Sequence, residues 1–145
     1  GPCGLPGKYK NVIPNFMHMA HQGKPLTVMG TGQETRDFTF VGDLVDGLLR
    51  GGTIPEAVGE EMNLGSGVET PSIDLANLVN KVSGNAAGTL SIEKRDWDHG
   101  SRRLASIDKA RNVMGYDPQT KLEDGLKKTN EWFVENKEKV VYLET

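Results

Sequence analysis

The chain has one cysteine, Cys3, so no internal disulfide can form and the fold must be held by packing and hydrogen bonds. No apolar run exceeds a few residues, too short for a helix that crosses a bilayer, and no signal-peptide pattern opens the sequence. With the lone cysteine, this sets the expectation of a cytoplasmic, reducing environment, away from membranes. Excess charge of one sign is also missing. Seventeen Lys and Arg against twenty Asp and Glu give a net −3, without the electropositive footprint of a nucleic-acid binder. Internal repeats and low-complexity stretches are absent. So is the Gly-x-Gly-x-x-Gly turn that brings backbone amides against a dinucleotide pyrophosphate: Gly30-Thr31-Gly32 has Thr35 where the third glycine would fall, and Gly65-Ser66-Gly67 has Thr70.

What is present fits one domain, since 145 residues with 36% hydrophobic content can bury a core of useful size. Residues 26–46 organise it. Leu26 and Val28 alternate with Thr27 and Met29, the pattern of a short strand with one buried face. A polar loop follows, and residues 36–41 resume the alternation with Phe38 and Phe40 on one face. Arg36 stands at the mouth of this second strand, where its planar fork is suited to a phosphate or carboxylate; a surface pairing with Glu34 or Asp37 is the alternative. Asp43 then precedes Leu44, Val45, Leu48 and Leu49, placed to cap a helix that ends at Gly51-Gly52.

The flanking segments are mostly helical. Ile13, Phe16, Met17 and Ala20 recur at helical spacing, with Pro14 in the first turn and Gly23 as a stop. His18 and His21 lie three apart on this helix, but no cysteine or carboxylate joins them at ligand spacing, so they read as a packed or solvated pair and no metal is expected. Met62, Asn63 and Leu64 suggest a short strand. Thr70-Pro71 reads as N-cap and first position of a helix carrying Ile73, Leu75, Ala76, Leu78, Val79 and Val82 as far as Gly84. Residues 89–93 alternate as another strand. Ser106 is placed to cap a helix with Ala110, Val113 and Met114 inward, and Thr120-x-x-Glu123 is a capping box ahead of a last helix burying Leu122, Leu126, Thr129 or Trp132, and Phe133. Between them, residues 94–104 compress Lys94, Arg95, Arg102, Arg103, His99, two aspartates and Trp97 into one polar loop, either a solvated turn or a binding element. The fold class is therefore α+β, mostly helical with short strands.

The run from Gly30 to Asp43, Gly-x-Gly-x-x-x-Arg-Asp-Phe-x-Phe-Val-x-Asp, resembles the substrate-domain signature of the extended short-chain dehydrogenase/reductases, the nucleotide-sugar epimerases, dehydratases and decarboxylases. Gly1-Pro2 with Asn11-Val12-Ile13-Pro14 resembles the segment after that family's catalytic tyrosine-lysine helix, and Asn63-Leu64-Gly65-Ser66-Gly67 its Asn-x-Gly-x-Gly strand end. Arg103, Gly115-Tyr116-x-Pro118 and Leu122-x-x-Gly125-Leu126-x-x-Thr129-x-x-Trp132 resemble its closing segment. The matches run in family order to about residue 136.

The resemblance implies a substrate-binding domain over residues 1–145 that lacks the Rossmann nucleotide-binding half. The family's Tyr-x-x-x-Lys is absent, since Ile13 follows Tyr9 and Thr120 follows Tyr116 at that spacing, so no catalytic residue and no cofactor site are assigned here, and NAD is expected in the missing N-terminal half. The implied ligand is a UDP- or dTDP-sugar. Two arginines from separate loops, Arg36 and Arg103, would grip its diphosphate, with charge-assisted contacts of about 1.5–3 kcal/mol each. Arg102 is the fallback for Arg103, Asp98 or His99 would meet a ribose hydroxyl, Thr27 and Met29 would hold the base, and Asn11 and Val12 would touch the sugar-nucleotide side. Implied partners are a second copy of the chain or a separate Rossmann-domain chain, the apolar surface for this being the helix near Phe16 or the strand near Leu64. An interaction module that kept the fold without the ligand is the alternative.

Overall fold

Helical spacing of apolar residues gives α1 (Val12–His21), which buries Phe16, Met17 and Ala20 and stops before Gly23, whose φ of 65° an L side chain would resist. The computed structural model describes residues 1–8, 11–93, 102–140 and 142. After α1 the chain enters β1 (Leu26–Met29), with Leu26 and Val28 buried and Thr27 and Met29 on the less buried face. Among the described residues β1 pairs with the parallel β4 (Thr89–Ile92) alone, Leu26 opposite Thr89. Helices α3 (Ser72–Ser83) and α5 (Leu122–Glu135) close over α1 and β1, so that Leu75, Val79, Leu126 and Phe133 join Met17 and Leu26 in the main core. Each such side chain stabilises by roughly 1.5–3 kcal/mol relative to exposure.

A second sheet sets β2 (Thr35–Asp37) between the antiparallel β3 (Glu69–Pro71) and the parallel β5 (Arg102–Arg103). Beyond it, α2 (Val41–Thr53), a 3-10 turn at Pro55–Ala57 and α4 (Asp108–Met114) surround a smaller cluster of Ile107, Ala110, Met114 and Tyr116. Gly47 allows α2 this approach: a Cβ there would lie 2.9 Å from both Leu64 and Tyr116. The Tyr116 hydroxyl donates to the Gly65 carbonyl at 2.9 Å, which satisfies the one polar atom of a fully buried ring.

The architecture is α+β, with five α-helices and short strands among the described residues. Local details differ from the expectations above, several of them because a tertiary partner outcompetes a local one. Strand β2 ends at Asp37 because α2 begins at Val41 with Phe40 as its N-cap residue; Phe38 and Phe40 still line one small cavity against Leu122 and Leu126. Asp43 does not cap its own helix, since its carboxylate accepts the backbone amides of Gln119 (3.3 Å) and Thr120 (3.1 Å). Thr70 pairs with Arg36 in the sheet, and α3 starts one residue later than expected, its first amides at Ser72 and Ile73 donating to the carbonyls of Glu34 and Gly32. Neither Ser106 nor Thr120 caps: the N-cap positions are Ile107 and Lys121, Ser106 bonds Asp108, and Glu123 pairs with Lys81 and Lys127. Residues 62–64 form no strand, because no ladder partner lies beside them among the described residues. Phe16 is buried and Leu64 partly covered, while the exposed large apolar side chains include Val45, Leu48 and Leu49 on α2 and Leu90 and Ile92 on β4. No helix of the described residues is long and apolar enough to cross a membrane.

Candidate functional site

Arg36 and Arg103 are direct partners across the parallel β2–β5 pair, although 67 positions separate them in the sequence. Residues opposite one another in a ladder share a face. Both arginines therefore line a cavity of about 470 Å³ together with Asn11, Val12, Thr39 and Gly1. A second recess, of about 450 Å³, shares Arg36, Thr39 and Arg103 with it and adds Asn63 and Leu64. Either volume lies in the range of small-molecule sites.

Arg36 is in the middle of its strand, not at the mouth, and its Nη1 donates to the Thr35 carbonyl at 2.8 Å. The ten-residue helix α1 points its N-terminus at the same cavity. Asn11 is its N-cap residue without a side-chain capping bond, Val12 opens the helix, and no acidic side chain occupies the first turn. Free amides and the positive dipole end favour an anion there. Cationic groups from two strands and a helix terminus thus face one space.

Asp37 lines the cavity too, but its carboxylate is engaged by the Ser66 amide (2.8 Å), the Ser66 hydroxyl (2.5 Å), the Gly67 amide (3.0 Å) and the Thr39 hydroxyl (3.2 Å). It fixes the Gly65–Ser66–Gly67 turn against β2. This role and the place of Thr39 were missed from the sequence; the clue available is that a turn with Gly67 at φ 71° bares consecutive amides that need an acceptor.

Arg102 lies beside Arg103 but lines neither recess. Its Nε pairs with Glu69 at 2.6 Å, and Glu69 also accepts the Thr35 hydroxyl at 2.6 Å. The Arg102 hydrogen bond, then that of Thr35, holds the Glu69 carboxyl below its ordinary pKa, and Glu69 raises that of Arg102 in return. Alternation along β5 explains the split: successive side chains point to opposite faces. Thr27 and Met29 lie on β1, in the other sheet, and do not line the arginine cavity; the Thr27 hydroxyl instead reaches the Met19 sulfur at 3.9 Å. Asp98 and His99 lie outside the described residues.

Neither glycine turn suits a dinucleotide pyrophosphate. A Cβ at Gly32 would lie 2.5 Å from Val28 and 2.9 Å from Ile73, so this glycine serves close packing on the core. At Gly65 the nearest atom is a carboxylate oxygen of Asp37, which repels a phosphate. The residues present do not fit NAD at either place. His18 and His21 take separate partners, Gln22 at 2.8 Å and Asn130 at 2.9 Å, and no group of three potential metal ligands occurs among the described residues.

The family model described as GDP-mannose 4,6 dehydratase matches residues 6–129. The chain is 37% identical over 122 residues to UDP-glucuronic acid decarboxylase 1 of Xenopus tropicalis, covering 84% of this chain and 28% of that protein. An epimerase structure from Methanothermobacter thermautotrophicus superposes with a TM-score of 0.95 at 47% identity, over 99% of this chain and 43% of that one. A Bordetella bronchiseptica enzyme in complex with NAD+ and UDP gives a TM-score of 0.75 at 35% identity, over 90% of this chain and 38% of that one. The chain thus spans less than half the length of each.

Proposed function

Because the chain belongs to the extended short-chain dehydrogenase/reductases, the family of nucleotide-sugar epimerases and dehydratases, we propose that it is their nucleotide-sugar-gripping portion. The observation that carries this reading is the register of Arg36 opposite Arg103 at a cavity into which α1 also turns its N-terminus. The diphosphate of a UDP- or dTDP-sugar lies between the two guanidinium groups, which donate to its oxygens from two strands at once. Asn11 and Val12 receive the sugar side. Thr27 and Met29, outside that cavity, are proposed as base contacts on the open face of β1, and Asp98 as a ribose contact. Arg102 is assigned to the sheet, because Glu69 already holds it.

Hydride transfer is assigned to a separate dinucleotide-binding half. The chain has no Tyr-x-x-x-Lys, and its glycine turns at Gly32 and Gly65 lie close against Val28, Ile73 and the Asp37 carboxylate, where an added Cβ would meet them. By itself the portion binds without turnover.

Isothermal titration of the chain with UDP and dTDP, alongside thermal unfolding, tests the reading. Saturation at about a hundred times Kd should stabilise by about 2.7 kcal/mol and raise Tm by several degrees. Arg36→Ala and Arg103→Ala should each weaken binding by about ten- to a hundredfold, whereas Arg102→Ala should leave it near wild type. Binding unaffected by either cavity substitution, or no response to any nucleoside diphosphate, would overturn it.

A further inference from the structure

At the other end of α1 from the arginine cavity stand two imidazoles, His18 and His21, which their i, i+3 spacing puts on one face of the last turn. Both line a separate cavity of about 160 Å³ that shares no residue with either arginine recess. Phe133 and Val140 supply its apolar walls, and Gln22 and Lys137 complete it. The Phe133 ring lies nearly parallel to that of His21, centroids 5.9 Å apart, and Tyr142 tilts against His18 at 5.6 Å. The nucleotide-sugar reading uses neither imidazole.

Hydrogen bonds fix what each ring can offer. Asn130 Nδ2 donates to the Val82 carbonyl at 3.2 Å, so its Oδ1 faces His21 and accepts from Nε2 at 2.9 Å. His18 Nε2 stands 2.8 Å from the Gln22 amide nitrogen, which can only donate, so that ring is neutral in this arrangement. Half a turn of the amide presents its oxygen to a protonated ring instead. Once protonated, an imidazole donates from both nitrogens, and the end of a helix where carbonyls gather favours that form. The titratable groups facing His18 are His21 and Lys24 from its own side, Lys137 from beyond α5 and Tyr142 from the C-terminal segment. None of the lining side chains is acidic. Burial, and after it Lys24 and His21, hold the His18 pKa below its ordinary value, so a counter-charge set among these groups would restore the proton.

Neighbouring lysines and the lack of a lining carboxylate or thiolate turn a metal ion away. A bare inorganic anion would leave Phe133 and Val140 unused. We propose that this cavity binds a small organic carboxylate, its anionic group held by His18, His21 and Lys137 and its apolar body set against Phe133 and Val140. The carboxylate takes charge-assisted hydrogen bonds from the imidazoles and the ammonium, and the site fills best in mild acid, where the rings carry their protons. The inference stands apart from the diphosphate grip and uses none of its residues.

Benzoate tests it, because its charge is constant across the range in which histidine titrates. In proton NMR of the chain, benzoate should move the ring resonances of His18 and His21. It should bind at least about tenfold more tightly at about pH 5.5 than at about pH 8, and raise the pH at which His18 titrates. Lys137→Gln, at an exposed position that folding tolerates, should weaken binding about tenfold, and His18→Gln with His21→Gln should remove the pH dependence. Benzamide, with the same shape and no charge, should not bind, and inorganic phosphate should bind more weakly than benzoate. Resonances unmoved by about 50 mM benzoate, equal affinity at both pH values, or wild-type affinity in Lys137→Gln would each overturn the proposal. Benzamide matching benzoate, or phosphate exceeding it, would do the same. Arg36→Ala keeps the two sites apart: benzoate binding should survive it, and binding lost with that arginine would place benzoate in the diphosphate cavity and overturn the proposal.

Discussion

The two hydrophobic clusters of this molecule are built from similar material and reach different ends. Around Met17, Leu75 and Leu126, the apolar residues of α1, α3 and α5 turn inward with the exception of Val134, and β1 supplies Leu26 and Val28 to meet them. Around Tyr116, four residues are buried, and α2 approaches through Gly47 with its larger apolar side chains facing away. The first cluster is closed by elements within the chain; the second is closed on one side only. Periodicity reports that a helix has an apolar face, but what covers that face depends on which surfaces share the polypeptide.

Three substitutions sharpen the contrast. Leu75→Ala, in the closed cluster, should cost about 2–5 kcal/mol in urea unfolding, because the fully buried side chain leaves a cavity that three helices cannot collapse into. A loss below about 1 kcal/mol would mean that the main core is loosely packed after all. Tyr116→Phe, in the half-closed cluster, should cost about 1–2 kcal/mol by orphaning the Gly65 carbonyl. Burial, and after it the carboxylates of Asp43, Asp37 and Asp46, raises the Tyr116 phenol above its ordinary pKa. The folded state therefore holds this proton more tightly than the unfolded one. Its stability is complete below about pH 10 and declines as the pH rises through that value toward the folded pKa, and Tyr116→Phe should flatten the decline in denaturation midpoints. Leu49→Ser, on the outward face, should change the unfolding free energy of the isolated chain by no more than about 0.5 kcal/mol. A larger loss would show that this face is packed within the chain.

Much of the helical framework is legible in the sequence, because Ile13 to Ala20, Ile73 to Val82 and Leu122 to Phe133 carry a strong period that the tertiary structure keeps. Capping is not legible. Asp43, Ser106 and Thr120 all have the residue type and offset of an N-cap, yet Asp43 serves the amides of a loop 76 positions away and the others lose the role by one residue. Long-range acceptors leave no local trace. Of the candidate binding residues, Arg36, Arg103, Asn11 and Val12 come to one cavity, because a parallel strand pair and a helix terminus place them there. Arg102 does not, since on a strand neighbouring residues face opposite ways; the charge pattern of 94–104 does not rank the two arginines, and it is the family resemblance that favours Arg103 over Arg102. Thr27 and Met29 fall in a separate sheet because β1 pairs with β4 and not with β2, a topology that the strand-loop-strand order does not disclose.

Strand β5 is two residues long, and among the described residues its backbone pairs with β2 alone, the Arg102–Glu69 ion pair adding a side-chain tie to β3. So brief a strand contributes little cohesion of its own, and a multivalent anion spanning β2 and β5 would act as a rivet between them. By thermodynamic reciprocity, whatever tightens the seam between these strands also strengthens the hold on the anion. The edge of this small sheet would thus be where occupancy of the proposed site is felt.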